Sequence, residues 1–402
     1  MAGRKKHGWT DPSHRQAALI ARRNFKMAGS AHAYVRGSTL KFYEWLETAS
    51  SRVPHGPPVW ICGDCHVGNL GPVANAKGRI DIQIRDLDQT VIGNPAHDLI
   101  RLGLSLATAA RGSDLPGITT AHMLEQMVDG YRRGLGEEPG GRKPDSVHVV
   151  MKRALGRTWK HLAKERIEDA RPTIPLGDRF WPLAKPEQVA MEALFSPDPI
   201  RRLVTSLHSR DNEARVELLD AAYWMKGCSS LGRLRFAALL GVGKSYYEEG
   251  GLCLMDIKEA VQAAAPRAAD VKMPRDNAER VVEGARHLSP YLGDRMRAAR
   301  FLDQAVFLRE LLPQDLKLDI EHLSQAEAMI VASYLAGVIG KAHGRQMDES
   351  TRAQWRQELS RNRSKSLEAP SWLWSSIVEL IVGHEAAYLE HCRRYVRGPV
   401  AG

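Results

Sequence analysis

The chain has 402 residues, 43% of them hydrophobic and 26% charged, which is ordinary globular usage and excludes global disorder. Its longest mostly apolar stretch, Ala326 to Ile339, is interrupted by Glu327 and Ser333 and falls short of the roughly 20 residues a bilayer span needs. A formal charge of +10 fits a polyanionic partner such as a nucleotide or nucleic acid, and also fits plain solubility.

The basic, polar segment Met1 to Lys26 lacks an apolar signal core. Five cysteines, few and odd in number, suit a reduced compartment. A soluble cytoplasmic protein is the expectation. Residues 13–50 read as helical, with Leu40, Tyr43 and Leu46 recurring at helical spacing. Val59-Trp60-Ile61-Cys62 reads as a buried strand, and Ile80, Ile82 and Ile84 alternate with polar residues as a second, after a turn at Asn75-Ala76-Lys77-Gly78. Residues 96–111 look helical. The stretch 118–222 is expected to be mostly helical, broken by loops at 134–146 and 171–187. Residues 226–260 read as antiparallel strands, 277–288 as a helix, 305–312 as a strand, 324–343 as a helix buried on nearly all sides, and 351–396 as helical again. The plan is α+β: a mainly helical body in two parts, 1–222 and 316–402, with a small β-rich section inserted at about 223–315.

The chemistry-bearing segment is Gly63-Asp64-Cys65-His66-Val67-Gly68-Asn69, followed 17 residues after Asn69 by Asp86-Leu87-Asp88. Phosphoryl transfer needs a carboxylate to orient or deprotonate the attacking hydroxyl, and oxygen ligands for Mg²⁺. Mg²⁺ itself favours one or two carboxylates plus substrate phosphates. Asp64 is then the base, with Asn69 and Asp86 as metal ligands. The plainer alternative is that these are turn residues bonding to their own loops. The run Gly227-Cys228-Ser229-Ser230-Leu231-Gly232 offers a phosphate cradle, and Lys258 ends an apolar strand, where an inward-facing ammonium needs a partner. Glu283 is the candidate for that partner and Glu279 the weaker one.

Gly63-Asp64-x-His66-x-x-Asn69 with Asp86-x-Asp88 resembles the catalytic-loop and metal-loop pair of aminoglycoside phosphotransferase-type kinases. Asn94-Pro95-Ala96-His97-Asp98-Leu99 is similar to the Gly/Pro-x-x-Asp-Leu that follows in them. The order differs, because the phosphate loop and Lys258 come after the catalytic loop. That order resembles an uncharacterised bacterial family, domain of unknown function 2252, with further matches from Met27 through Tyr34-Val35-Arg36-Gly37, at Arg280-Val281-Val282-Glu283-Gly284 and at Ala342-His343.

The resemblance implies a circularly permuted, protein-kinase-like two-lobed fold that uses ATP and Mg²⁺. It implies catalytic Asp64 and His66, metal-binding Asn69, Asp86 and Asp88, and nucleotide contacts from Gly227, Ser229, Ser230, Gly232, Lys258 and Glu283. Two positions depart from the pattern: Cys62 stands where many relatives have His, and the metal loop has no Gly. The acceptor is expected to be a small molecule seated by the 118–222 insertion. A catalytically silent nucleotide binder and a nucleotidyl transferase are the competing readings. A nucleic-acid binder using the basic helix Lys152 to Arg171 is weaker, because Glu165, Glu168 and Asp169 dilute that helix.

Cys62-Gly63-Asp64-Cys65-His66 matches a c-type haem signature but follows a strand, and a zinc site there lacks a second Cys/His pair. Gly241-Val242-Gly243-Lys244-Ser245 lacks the first glycine and the helix of a P-loop. His384 and His391 lie on one face of a tail helix without the second His a zinc protease requires.

Overall fold

The computed structural model describes residues 11–112, 115, 117–136, 143–155, 173–206, 210–211, 213–226, 231–243, 251–312, 314–315, 324–361, 363–364 and 367–395. Three helices open the chain: α1 (Arg15–Ala28), α2 (Ala31–Gly37) and α3 (Thr39–Ala49). Ser30 starts α2 by accepting from the Ala33 N–H at 3.0 Å, which satisfies one of the free donors of a helix N-terminus. Strands β1 (Val59–Ile61), β2 (Leu70–Ala74), β3 (Ile80–Ile84) and β4 (Val91–Gly93) follow. The sequence pattern led from β1 straight to β3. The structure inserts β2, which pairs antiparallel with β3 across the Asn75–Gly78 turn, while β1 pairs with β4. These two small ladders hold the loops 62–69 and 85–90 side by side.

Helices α4 (Pro95–Gly112), α5 (Gly117–Leu135) and α6 (Asp145–Leu155) come next, then the short strand β5 (Phe180–Trp181), α7 (Lys185–Leu194) and α8 (Asp198–Val204). A six-stranded sheet runs in the order β5-β6-β7-β8-β10-β9, every neighbouring pair antiparallel. Its later members are β6 (Val216–Trp224), β7 (Arg235–Val242), β8 (Leu252–Glu259), β9 (Met296–Phe301) and β10 (Gln304–Glu310), with α9 (Asn277–Leu288) crossing between β8 and β9. The β-rich section therefore begins near Phe180 rather than at 223, and 216–222 is strand where helix was expected. Along β7 the period of two splits the side chains cleanly: Phe236, Ala238 and Leu240 join one apolar cluster, and Ala237 and Leu239 join the other. The same alternation on β8 puts Leu254, Asp256 and Lys258 on one face.

The chain closes with α10 (Gln325–Gly344), α11 (Glu349–Glu358), a short hairpin of β11 (Arg363–Ser364) and β12 (Leu367–Pro370), and α12 (Ser371–Tyr395). Helix α10 buries ten of its twenty residues, along one face rather than on nearly all sides as its apolar sequence predicts, and it crosses α5 at glycines. A Cβ on Gly130 would collide with the Ser333 carbonyl, one on Gly134 with the Gly337 carbonyl, and one on Gly340 with the Tyr131 carbonyl. Only hydrogen at these positions lets the two backbones approach so closely. That approach sets His343, near the end of α10, against Tyr131 of α5. The fold is mixed α+β, and among the described residues no helix is long and apolar enough to cross a membrane.

Candidate functional site

The loop after β1 turns at Gly63, where φ is +74° and a Cβ would run into the Gln89 carbonyl, so the left-handed turn and the close approach both call for glycine. Asp98, in the first turn of α4 and fully buried, accepts from the backbone N–H of Cys62 at 2.7 Å and of Gly63 at 2.9 Å. Behind it stands a line of buried donors. Trp355 Nε1 is 3.1 Å from the Tyr131 oxygen, that hydroxyl is 2.9 Å from His343 Nδ1, and His343 Nε2 is 3.2 Å from Asp98 Oδ2. Indole N–H can only donate, so Tyr131 accepts from it and gives its own proton to Nδ1, which leaves Nε2–H for Asp98. The backbone just before Asp64 is thus anchored through a line of four helices.

Asp64 itself meets Arg101, whose Nε and Nη2 both donate to Oδ1 at 3.0 Å. Burial pushes the Asp64 carboxyl up from its ordinary value, and Arg101 works against that rise. Asn69 Nδ2 donates to the Asp86 carbonyl at 2.6 Å, more distantly to the Asp64 carbonyl at 3.3 Å, and lies 3.4 Å from Cys62 Sγ. The thiol thus meets Asn69 inside the loop.

Lys258 crosses from β8 to this loop. Its Nζ donates to both oxygens of Asp86, at 3.0 and 3.1 Å, and also bonds Asp88 Oδ2. Its strand neighbour Asp256 is not available, because Arg235 and Arg309 already bracket that carboxylate. Loss of solvent works against the charge on Asp86, but Lys258 and the hydrogen bond from Asp88 outweigh it and hold Asp86 well below the usual carboxylate range. Burial, then the charge of Asp86, pushes Asp88 up to about 6.

Asp64, His66, Asn69, Asp86 and Asp88 all line one cavity of about 600 Å³, and Lys258 reaches its edge through the two carboxylates. Glu283 does not join them. It bonds Arg286 at 2.9 Å and His287 at 3.3 Å on its own helix, where neighbours three and four residues on are within easy reach. The Lys258–Glu283 pair is therefore replaced by Lys258 with Asp86 and Asp88. Helix α9 instead contributes Arg280, which donates to the carbonyls of Thr90, Asp88 and Val261 and ties the 85–90 loop to the end of β8. Gly227, Ser229 and Ser230 lie outside the described residues, as does most of the basic helix 152–171. Gly232 sits at φ +98°, near the Gln16 side chain.

The far wall of the cavity comes from elsewhere than expected. Arg23, Tyr34, Thr39 and Lys41 of α1–α3 line it together with His391 and Tyr395 of α12 and Arg233. No described residue of 118–222 does. Of these, Tyr34 lay in a matched family segment, and His391 had been weighed only as part of a tail-helix face and set aside.

Burial depresses His32, His97 and His384 to about 4, and burial, then the charges of Arg36 and Arg101, holds His66 well below its ordinary value. These groups stay neutral in the folded chain while the unfolded chain gains protons below about pH 6.5, at about 1.4 kcal/mol per pH unit for each histidine at most. Asp88 opposes them, since its raised carboxyl takes up a proton earlier in the fold than in the unfolded chain. Asp64 and Glu310, whose carboxyls burial also raises, join Asp88, so three groups stand against four and stability should fall modestly between about pH 6.5 and about pH 4. Urea midpoints at about pH 7 and about pH 5 check this, and equal midpoints would refute it.

The chain matches the family described as uncharacterized protein conserved in bacteria, domain of unknown function 2252, over residues 15–394, and belongs to it. No curated protein and no solved structure matches the chain.

Proposed function

We propose that the chain is an ATP- and Mg²⁺-dependent phosphotransferase of kinase-like, circularly permuted plan, acting on a small acceptor. The observation that carries this reading is the meeting of Lys258 with Asp86, 172 residues apart in sequence, at a cavity that also holds Asp64 and Asn69. Asp64 is the base. Arg101 occupies its Oδ1, which leaves Oδ2 to take the proton of an acceptor hydroxyl as that oxygen bonds the terminal phosphorus and ADP departs. Lys258 draws phosphate oxygens to the mouth of the β-sheet.

The metal fits in part. Asp86 is 48% exposed, Asp88 Oδ1 has no bonded partner, and Asn69, with Nδ2 engaged, has Oδ1 left to offer. Among the described residues no group of three His, Cys, Asp or Glu side chains is arranged to hold a metal. Mg²⁺ asks less than that, since substrate phosphates complete its shell. When bound, it would neutralise phosphate charge beside Asp86 and Asn69.

A second reading rests on the same ammonium. Lys258 is already held by two carboxylates and has no Glu283 to draw it back, which also suits a nucleotide-binding protein without catalysis, a pseudokinase-like regulator. Nucleotidyl transfer from the same cavity is a third. The test is ATP binding by thermal shift with product mass spectrometry. ADP formation that stops on adding EDTA supports phosphotransfer. Stabilisation by ATP without turnover supports the silent binder, and AMP attached to an acceptor supports nucleotidyl transfer.

A further inference from the structure

Around Asp64 the protein leaves basic side chains without partners. Helix α2 carries His32 and Arg36 four residues apart, so both face the same side. Arg36 has no hydrogen-bond or ion-pair partner among the described residues, its Nε is buried, and its guanidinium lies 3.1 Å from where a Cβ on Gly68 would be, one residue from the cavity-lining Asn69. His66, only 8% exposed and part of the cavity wall, has an unpartnered Nδ1, as has His32. Arg101, fully buried, gives Nε and Nη2 to Asp64 and Nη2 also to the Val35 carbonyl, and its Nη1 has no partner. Arg23 of α1 lines the cavity with a buried, unpartnered Nε.

The charges do not balance locally. Arg101 pairs with Asp64, Asp86 is engaged by Lys258, and Arg36, whose charge bears on His66, has no carboxylate of its own among the described residues. Buried donors without acceptors cost about 1–3 kcal/mol each, more when charged, and native proteins rarely gather several in one place. An oxyanion entering from the cavity would meet His66 and Arg23 on its wall, with the Arg36 guanidinium close by against Gly68.

We propose that the cavity contains, beside Asp64, a subsite for an oxyanion, a phosphate or carboxylate group carried by the acceptor, with Arg36 and His66 as its donors and Arg101 behind them. The site stands on these side chains alone. Only its assignment to the acceptor rests on the phosphotransfer reading. Arg36 is a binding residue here and has no part in the chemical step.

The full chain in anion-free buffer, titrated with inorganic phosphate, sulfate or malonate, supplies the test by calorimetry and thermal unfolding. An oxyanion that binds the fold alone raises the melting temperature. Arg36→Gln should lose affinity at least tenfold, and Arg36→Lys should keep part of it because the charge remains. Without anions, Arg36→Gln should melt at or above the wild-type temperature, since it removes an unpaired cation. That outcome separates lost binding from failed folding. Arg352→Gln, on α11 and away from the cavity, serves as the control and should bind like wild type. A response to phosphate but not malonate identifies a phosphate ester, and the reverse identifies a carboxylate. The subsite is refuted if none of the three anions binds, or if they bind Arg36→Gln as tightly as wild type. Arg36-dependent anion binding in a chain that ignores ATP would instead sink the phosphotransfer reading and leave the subsite standing.

Discussion

Asp86→Ala should abolish Mg²⁺-dependent ATP turnover, a loss of about 10²- to 10³-fold or more if it matches removal of other preorganised electrostatic contacts, while the fold survives. The second half is the less obvious one. Lys258 is 3% exposed in its side chain, and stripping a buried cation of every partner costs roughly 3–5 kcal/mol. Asp86→Ala does not do that. Lys258 keeps Asp88, one charge against one, and Asp88 loses the neighbouring anion that raises its pKa. Its titration should move down from about 6 towards the ordinary range. A melting temperature near wild type, with turnover gone, fits a metal-holding role. Turnover equal to wild type would remove Asp86 from the chemistry and with it the case for Mg²⁺ here.

How much of this was legible beforehand depended on how local the signal was. Asp64, His66, Asn69, Asp86 and Asp88 sit in two short loops at strand ends; spacing singled out Asp64, Asn69 and Asp86, and the family resemblance added His66 and Asp88. Lys258 was readable because a lysine in an apolar strand must find an anion. Its partner was misread because Glu283 has Arg286 and His287 within one helical turn, while Lys258 faces two carboxylates across the cavity edge. The long-range arginines carried no assigned role: Arg36 and Arg280 fell inside matched family segments, and Arg101 carried no mark at all. Arg36, Arg101 and Arg280 lie on helices, where arginine ordinarily faces water, and only tertiary packing turns them inward.

The strands were readable where alternation was strong and invisible where pairing did the work. β9, Met296-Arg-Ala-Ala-Arg-Phe301, is an edge strand with little apolar alternation, stabilised by its ladder with β10. β6 contains Leu218-Leu219-Asp220-Ala221-Ala222, which reads as helix by propensity. Its ladder with β7 overrides that preference, with a register shift between Leu218 and Asp220. β7, buried along its whole length, needs neighbours on both sides, and β6 supplies one. Because these pairings are long-range, the start of the sheet at Phe180 could not be read from the local texture at 223.

Asp98→Ala should be the most destabilising single change near the site. Asp98 serves three buried donors: the N–H groups of Cys62 and Gly63, and His343 Nε2. Alanine orphans all three, at about 1–3 kcal/mol each, which approaches the whole stability of a typical domain, about 5–15 kcal/mol. Asp98→Asn is the informative companion. Oδ1 serves Gly63 alone, and Oδ2 serves Cys62 and His343, so an amide placed at Oδ1 sets its NH₂ against one backbone N–H and leaves the other two bonds intact. Denaturant unfolding should therefore rank the variants wild type, Asn, Ala in falling stability. Turnover should fall in both, because a loosened Gly63 peptide moves Asp64 away from Arg101. An alanine variant within about 1 kcal/mol of wild type would mean that the line from Trp355 to Asp98 holds nothing in place, and that the 62–69 loop owes its shape to Gly63 and the β1–β4 ladder alone.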